Sequence, residues 1–251
     1  MRNIRLTIEY DGKCYNGWQK QPDKLNIQGE IERAIFNITK EEVEQLKKGV
    51  DIGSGRTDAG VHALGQIANF KTNSNMPIEK MAIAINSQLK NSIIIKKAEE
   101  VDERFHSRYN AKQKTYRYII NNSEYGTAIY RNLQYCFPIK LDEEKMKEAA
   151  KYFEGEHDFK AFKSSGTSGK NSVRTIYKAE VRKEGDNIII ELTGNGFLYN
   201  MVRIISGTLL DVGLGKIKPE EIPEIIESKD RQRAGRTLPA HGLYLVQVVY
   251  N

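Results

Sequence analysis

A lone carboxylate, an arginine and three glycines share eight positions in Gly53-Ser54-Gly55-Arg56-Thr57-Asp58-Ala59-Gly60, which runs on into Val61-His62-Ala63. Glycine at that density marks a backbone turning where side chains would clash, with Asp58 expected at the apex. Turns between strands are where catalytic groups tend to be displayed, and the apolar run Val50 to Ile52 supplies a strand leading in. Asp and Gly are also ordinary turn formers, and an Asp beside a Thr can simply bond its own backbone. A phosphate cradle is excluded on detail. Asp58 replaces the third glycine of the dinucleotide fingerprint, a carboxylate repels a pyrophosphate, and no Gly-Lys-Ser/Thr follows.

A second stretch with chemical potential runs from Arg104 to Ser123 without an acidic residue. In it Arg104, Arg108, Lys112, Lys114 and Arg117 alternate with Phe105, Tyr109, Tyr116 and Tyr118. Cations that track a phosphate backbone beside rings that stack on bases have this composition, and so does a solvated strand with ordinary aromatic packing. The third candidate is Arg203, in Gly196-Phe197-Leu198-Tyr199-Asn200-Met201-Val202-Arg203. At about 100° per residue, Leu198, Met201, Val202, Ile205, Leu209 and Val212 share one helical face, and Arg203 points about 140° from it, toward Gly207. That arginine serves either a site or a surface salt bridge.

Metal and redox chemistry have little support. The histidines at 62, 106, 157 and 241 show no close ligand spacing, and Cys14 and Cys136 lie far apart with no Cys-x-x-Cys. A disulfide framework is not expected, which fits a reducing cytoplasm. The net charge of +6 favours an anionic partner only weakly, because location matters more than the total. No apolar run approaches the roughly 18 residues of a membrane span, and the N-terminus lacks the apolar core of a signal peptide.

The elements that must position these groups read as follows. Ile4, Leu6, Ile8 and Tyr10 alternate as a first strand ended by Asp11-Gly12, and Tyr15-Asn16-Gly17-Trp18-Gln19 then reads as an aromatic plug. Asn26 caps a helix with Ile27, Ile31, Ala34, Ile35 and Ile38 on one face. Gln66 to Lys71 returns from the Asp58 turn, Pro77 opens a helix carrying Ile78, Met81, Ala82, Ile85 and Leu89, and Ile93 to Lys97 is a further strand. Strand, helix, strand, strand, helix, strand matches a ferredoxin-like unit, placed at residues 1–105. In the second subdomain, 106–251, Asp142 caps a helix ending at Gly155, and His157-Asp158-Phe159 reads as structural. Ser164 to Ser172 is a basic-flanked Ser/Gly loop placed to close over a ligand. Val173 to Arg182 and Asn187 to Thr193 form a hairpin, Lys218 and Pro219 begin a short helix, and Leu243 to Tyr250 is a last strand.

Arg56-Thr57-Asp58-x-Gly60-Val61-His62-Ala63 closely resembles the signature around the catalytic aspartate of the tRNA pseudouridine synthase A family. Further matches are Tyr15-x-Gly17-Trp18, Lys114-Thr115-Tyr116-Arg117-Tyr118, and Gly196-Phe197-Leu198-x-x-Met201-Val202-Arg203, so the likeness covers nearly the whole chain. The resemblance implies an α+β pseudouridine synthase fold, with two ferredoxin-like subdomains joined in one extended mixed sheet and a basic cleft between them. It implies Asp58 as nucleophile, Tyr116 and Arg203 as its catalytic companions, and RNA contacts by Arg56, Tyr116, Arg104, Arg108, Lys112 and Lys114. The family's arginine pairs with the aspartate, and an adjacent cation keeps a carboxylate ionised. The substrate implied is the anticodon stem-loop of tRNA, with no cofactor, no metal and a cytoplasmic homodimer. A paralogue acting on ribosomal RNA, or a non-catalytic RNA chaperone, would carry the same surface. Two departures stand out: Asn200 replaces a more usual His, and Leu238 interrupts an Ala-Pro-Ala-like segment. Both are expected to lie apart from the chemistry and to affect RNA preference.

Overall fold

The computed structural model describes residues 1–41, 53–165 and 171–250. The expected strand over 50–52 and most of the loop between Ser164 and Ser172 lie outside the described residues. The architecture is α+β with mostly antiparallel strands, and it divides into two compact units: Met1–Lys112 with Tyr244–Asn251, and Gln113–Leu243. Relative to the expected boundary at 105, the first unit also takes in residues 106–112 and the last strand.

In the first unit β1 (Arg2–Tyr10) lies between β2 (His62–Thr72) and β3 (Ile93–Val101), antiparallel to both. The end of the chain, β9 (Leu243–Val249), adds parallel to β2 with Tyr244 beside His62. Ile4, Leu6 and Ile8 alternate with half-exposed residues because successive strand side chains point to opposite faces. The inward set is buried together with Ile27, Ile31 and Ile35 of α1 (Ile27–Thr39) and Met81 and Ile85 of α2 (Ile78–Asn86). Each such side chain contributes about 1.5–3 kcal/mol on burial. The Asn26 side chain caps α1 by accepting the Gly29 N–H at 2.8 Å, as its residue type predicts. The second helix stops at Asn86, a turn short of Leu89.

In the second unit β4 (Gln113–Asn121) pairs antiparallel with β8 (Asn187–Gly194), β8 with β7 (Val173–Glu184) and β7 with β6 (Gly155–Asp158), while β5 (Tyr135–Cys136) runs parallel to β4. The β7–β8 hairpin turns at Gly185, whose φ of +59° favours glycine. Asp142 caps α3 (Glu143–Lys151) by accepting the Lys145 N–H at 3.2 Å. In α4 (Met201–Gly213) every residue but Arg203 and Asp211 is buried, so this helix is covered all round rather than on one stripe. A strap formed by residues 234–238 lies on the Gly207 side: a Cβ at Gly207 would stand 1.9 Å from the Arg236 carbonyl oxygen, and the Gly235 N–H donates to Thr208 Oγ1 at 2.9 Å. Arg231 fastens the strap by donating to the carbonyls of Ala234 and Gly235 and to Thr237 Oγ1. A short helix, α5 (Ile222–Ser228), follows the Lys218-Pro219 start as expected.

Candidate active site

The backbone around Asp58 is held from several directions within the first unit. The Val61 N–H donates to the Asp58 carbonyl at 3.1 Å, and Gly60 takes φ +78°, so Asp58 opens a four-residue turn rather than standing at its apex. Its neighbour Thr57 is buried, with Oγ1 2.7 Å from the Tyr10 hydroxyl, and burial pushes that phenol well above the ordinary tyrosine range, so it stays protonated. Upstream, Ser54 Oγ donates to Gln66 Oε1 at 2.6 Å and Gln66 Nε2 donates to the Gly55 carbonyl at 2.9 Å. Gln66 is fully buried in the middle of β2, where an amide survives only because these bonds satisfy it.

The Tyr15–Gln19 segment is more than a plug. The Trp18 backbone N–H donates to the Thr57 carbonyl at 3.0 Å, and the Trp18 ring lies 2.5 Å from where a Cβ on Gly53 would be. Gly17 takes φ +88°, and a Cβ on it would meet the Thr57 carbonyl oxygen at 2.6 Å and the Asp58 carbonyl carbon at 3.1 Å. The backbone of Gly17 is therefore packed directly against the backbone that carries the carboxylate, which itself is half-buried. Sequence reasoning missed Tyr10, Gly17 and Gln66 as supports. The available signal was Gln66, a polar residue in a strand whose neighbours are apolar.

In the second unit Tyr116 is buried on β4 opposite Leu192, with the Phe197 ring edge-on at 5.1 Å and 77°. Tyr118 is fully buried, donates its hydroxyl to the Pro239 carbonyl at 2.7 Å and packs on Gly242, so it is a structural ring and no base platform. Phe105, in the first unit, is packed beside Tyr250 and under Arg5. Arg117 is held on the sheet, because both Nε and Nη2 lie 2.9 Å from Glu191 Oε2 on the neighbouring strand. Arg56, Arg104, Arg108 and Lys112 are exposed, and Lys114 is partly so.

The two departures, Asn200 and Leu238, both lie against Arg203. Its Nη1 donates to Asn200 Oδ1 at 2.6 Å and its Nε to the Leu238 carbonyl at 2.6 Å, so both unusual residues touch this guanidinium. Asn200 precedes α4 in the left-handed region, φ +60°, which Asn tolerates better than most residues. Its side chain does not cap the helix. The amide serves Arg203 instead, and its Nδ2 donates to Ser164 Oγ at 3.0 Å. Leu238 contributes only backbone, which explains why its side-chain identity carries no signal for this role. Asp158, read as structural, caps a 3₁₀ turn over Phe159–Phe162 and pairs with Lys229 at 3.0 Å.

A family model described as tRNA pseudouridine synthase matches residues 6–110 and 149–251. Among curated relatives, tRNA pseudouridine synthase A of Caldicellulosiruptor saccharolyticus is 57% identical and that of Acetivibrio thermocellus 54%, each over 250 residues and all of both chains. The protein called tRNA pseudouridine synthase A 2 of Clostridium perfringens is 54% identical over the same span. With a signature aspartate fixed in a braced turn and likeness over its full length, the chain belongs to the tRNA pseudouridine synthase family.

Proposed function

We propose that this protein isomerises uridine to pseudouridine in the anticodon stem-loop of tRNA, with Asp58 acting at the sugar of the target nucleotide. The observation that carries the reading is the turn around Asp58, braced at Asp58 by Gly17, at Thr57 by Trp18 and Tyr10 and at Gly55 by Gln66, in a chain whose full-length relatives are named for this reaction. A reaction that severs and remakes a glycosidic bond needs its carboxylate fixed to a fraction of an ångström, and backbone packed on backbone provides that.

In the reaction the C1′–N1 bond breaks, the freed uracil turns, and C5 bonds to C1′. The C5 hydrogen leaves as a proton and N1 gains one, so the balance requires neither a redox partner nor a phosphoryl donor. The base must first leave the helical stack. Asp58 serves either by attacking C1′ or by stabilising the cation-like sugar and promoting loss of its 2′ proton. Tyr116 supplies a ring edge or hydroxyl for the detached uracil, and Arg203 supplies the positive charge that favours an ionised carboxylate. Arg56, Arg104, Arg108, Lys112 and Lys114 serve the phosphates. A homodimer working in the cytoplasm is part of this reading, and sedimentation with and without tRNA tests the assembly.

The test is incubation of the purified protein with RNAs carrying tritium at uridine C5. Release from a tRNA transcript, and not from ribosomal RNA fragments, supports the reading. Release from ribosomal RNA alone assigns the paralogous activity, and tight binding without release assigns a chaperone.

A further inference from the structure

Four aromatic rings lie in the basic stretch, and the structure separates them. Tyr116 and Tyr118 are buried and Phe105 is packed beside Tyr250, whereas Tyr109 is 69% exposed. A single exposed ring is ordinary on any surface. What sets Tyr109 apart is how it is held. One side of its ring leans on the His106 imidazole, centroids 4.3 Å apart at 40°. His106 Nδ1 accepts the N–H groups of Arg108 at 3.1 Å and Tyr109 at 3.4 Å, and the turn is closed by Asn110, whose Oδ1 accepts the His106 N–H at 2.6 Å and whose N–H donates to the His106 carbonyl at 3.1 Å.

Beneath the turn a buried network ties it to the sheet. The Ser107 N–H donates to Asn69 Oδ1 at 2.8 Å, Asn69 Nδ2 donates to Asn3 Oδ1 at 3.0 Å, and the Tyr250 hydroxyl donates to the Ser107 carbonyl at 2.7 Å. The ring is thus ordered in advance and presents its outer face to solvent, in a segment that also exposes Arg104 and Arg108. An aromatic face fixed before binding and bordered by cations suits a nucleobase whose phosphates meet the cations, because stacking then costs little ordering of the protein. Only an unpaired base, or one at the end of a stack, can reach such a face.

We infer that Tyr109, backed by His106, is a stacking platform for an unpaired nucleobase of the tRNA, distinct from the reacting uridine. The inference rests on the proposed tRNA activity. Its contribution is to affinity rather than to the chemical step, since the ring leans on His106 and not on the Asp58 turn.

The test uses the full chain and an unmodified tRNA transcript. Tyr109→Ala should bind about 5- to 150-fold more weakly, with the log-log salt slope unchanged because no phosphate contact is lost, and with wild-type turnover at saturating tRNA. Tyr109→Phe should bind as wild type. In the Tyr109→Trp variant the new indole should become protected from iodide quenching when tRNA saturates, against a background from Trp18, which is 1% exposed. Wild-type affinity in Tyr109→Ala, a changed salt slope, or an indole that stays equally quenchable would overturn the inference. If the wild-type protein neither binds nor modifies tRNA in parallel assays, the functional reading itself fails.

Discussion

Gly17→Ala is the sharpest perturbation that the geometry offers, because it adds one methyl group and removes nothing. The new Cβ would stand 2.6 Å from the Thr57 carbonyl oxygen, where ordinary contact begins at 3.4 Å, so one of the two backbones must give way by about 0.8 Å. Neither atom belongs to a flexible side chain that can swing aside. The φ of +88° adds a cost of about 1–3 kcal/mol for any L side chain. At about 2–4 °C of Tm per kcal/mol for a chain of this size, that strain lowers Tm by about 2–12 °C, so turnover is measured below the variant's own Tm. A misplacement approaching 1 Å at the reacting group costs about a hundredfold in rate. Gly17→Ala should therefore lose about 30- to 100-fold in single-turnover tritium release at saturating enzyme, while binding tRNA as tightly as wild type. Wild-type turnover in a variant with a lowered Tm would refute the claim that this packing positions Asp58.

Asn200→Gly keeps the φ +60° backbone without strain and deletes the amide on Arg203; loss of a hydrogen bond to a charged group, worth about 1.5 kcal/mol, should slow turnover roughly tenfold with tRNA affinity intact, and add nothing in an Arg203→Ala background. Salt titration of tRNA binding should show a log-log slope flattened by roughly 0.7 to 0.9 in Arg104→Ala, Arg108→Ala or Lys112→Ala, and an unchanged slope in Arg117→Ala, whose guanidinium is bound to Glu191. Burial, then the Arg108 charge, lowers the His106 pKa below the ordinary imidazole range, so the neutral ring that accepts two N–H groups is fully present above that range and is lost as pH falls through the lower folded-state value. Protection factors of the Arg108 and Tyr109 amides, corrected for intrinsic exchange, should fall in that acid window, and His106→Gln should abolish that fall.

Much of this molecule was legible because local rules are short-ranged. The caps at Asn26 and Asp142, the alternation in β1 and the glycine turn at Gly185 each depend on residues a few positions apart. The Asp58 turn was found the same way. Its supports were not, because the contacts of Tyr10 with Thr57 and of Gly17 with the Asp58 backbone join segments 47 and 41 residues apart and leave no period in the chain. The helix carrying Arg203 read as amphipathic, and its strap stayed hidden because glycines 207 and 235 act by lacking a side chain. The Leu238 contact stayed hidden for a related reason: what Arg203 uses is a carbonyl that every residue possesses. In the basic stretch, composition counted Arg117 and Tyr118 with the rest, and only the pairing of β4 with β8 and the packing on Gly242 show where their side chains go.

The central claim, that the Asp58 carboxylate does the chemistry, is tested most directly by Asp58→Asn with tRNA tritiated at uridine C5. The side chain keeps its shape and loses its charge, while every backbone contact described for the turn is retained. Tritium release should fall to background with tRNA affinity nearly unchanged. Robust release from this variant would contradict the account.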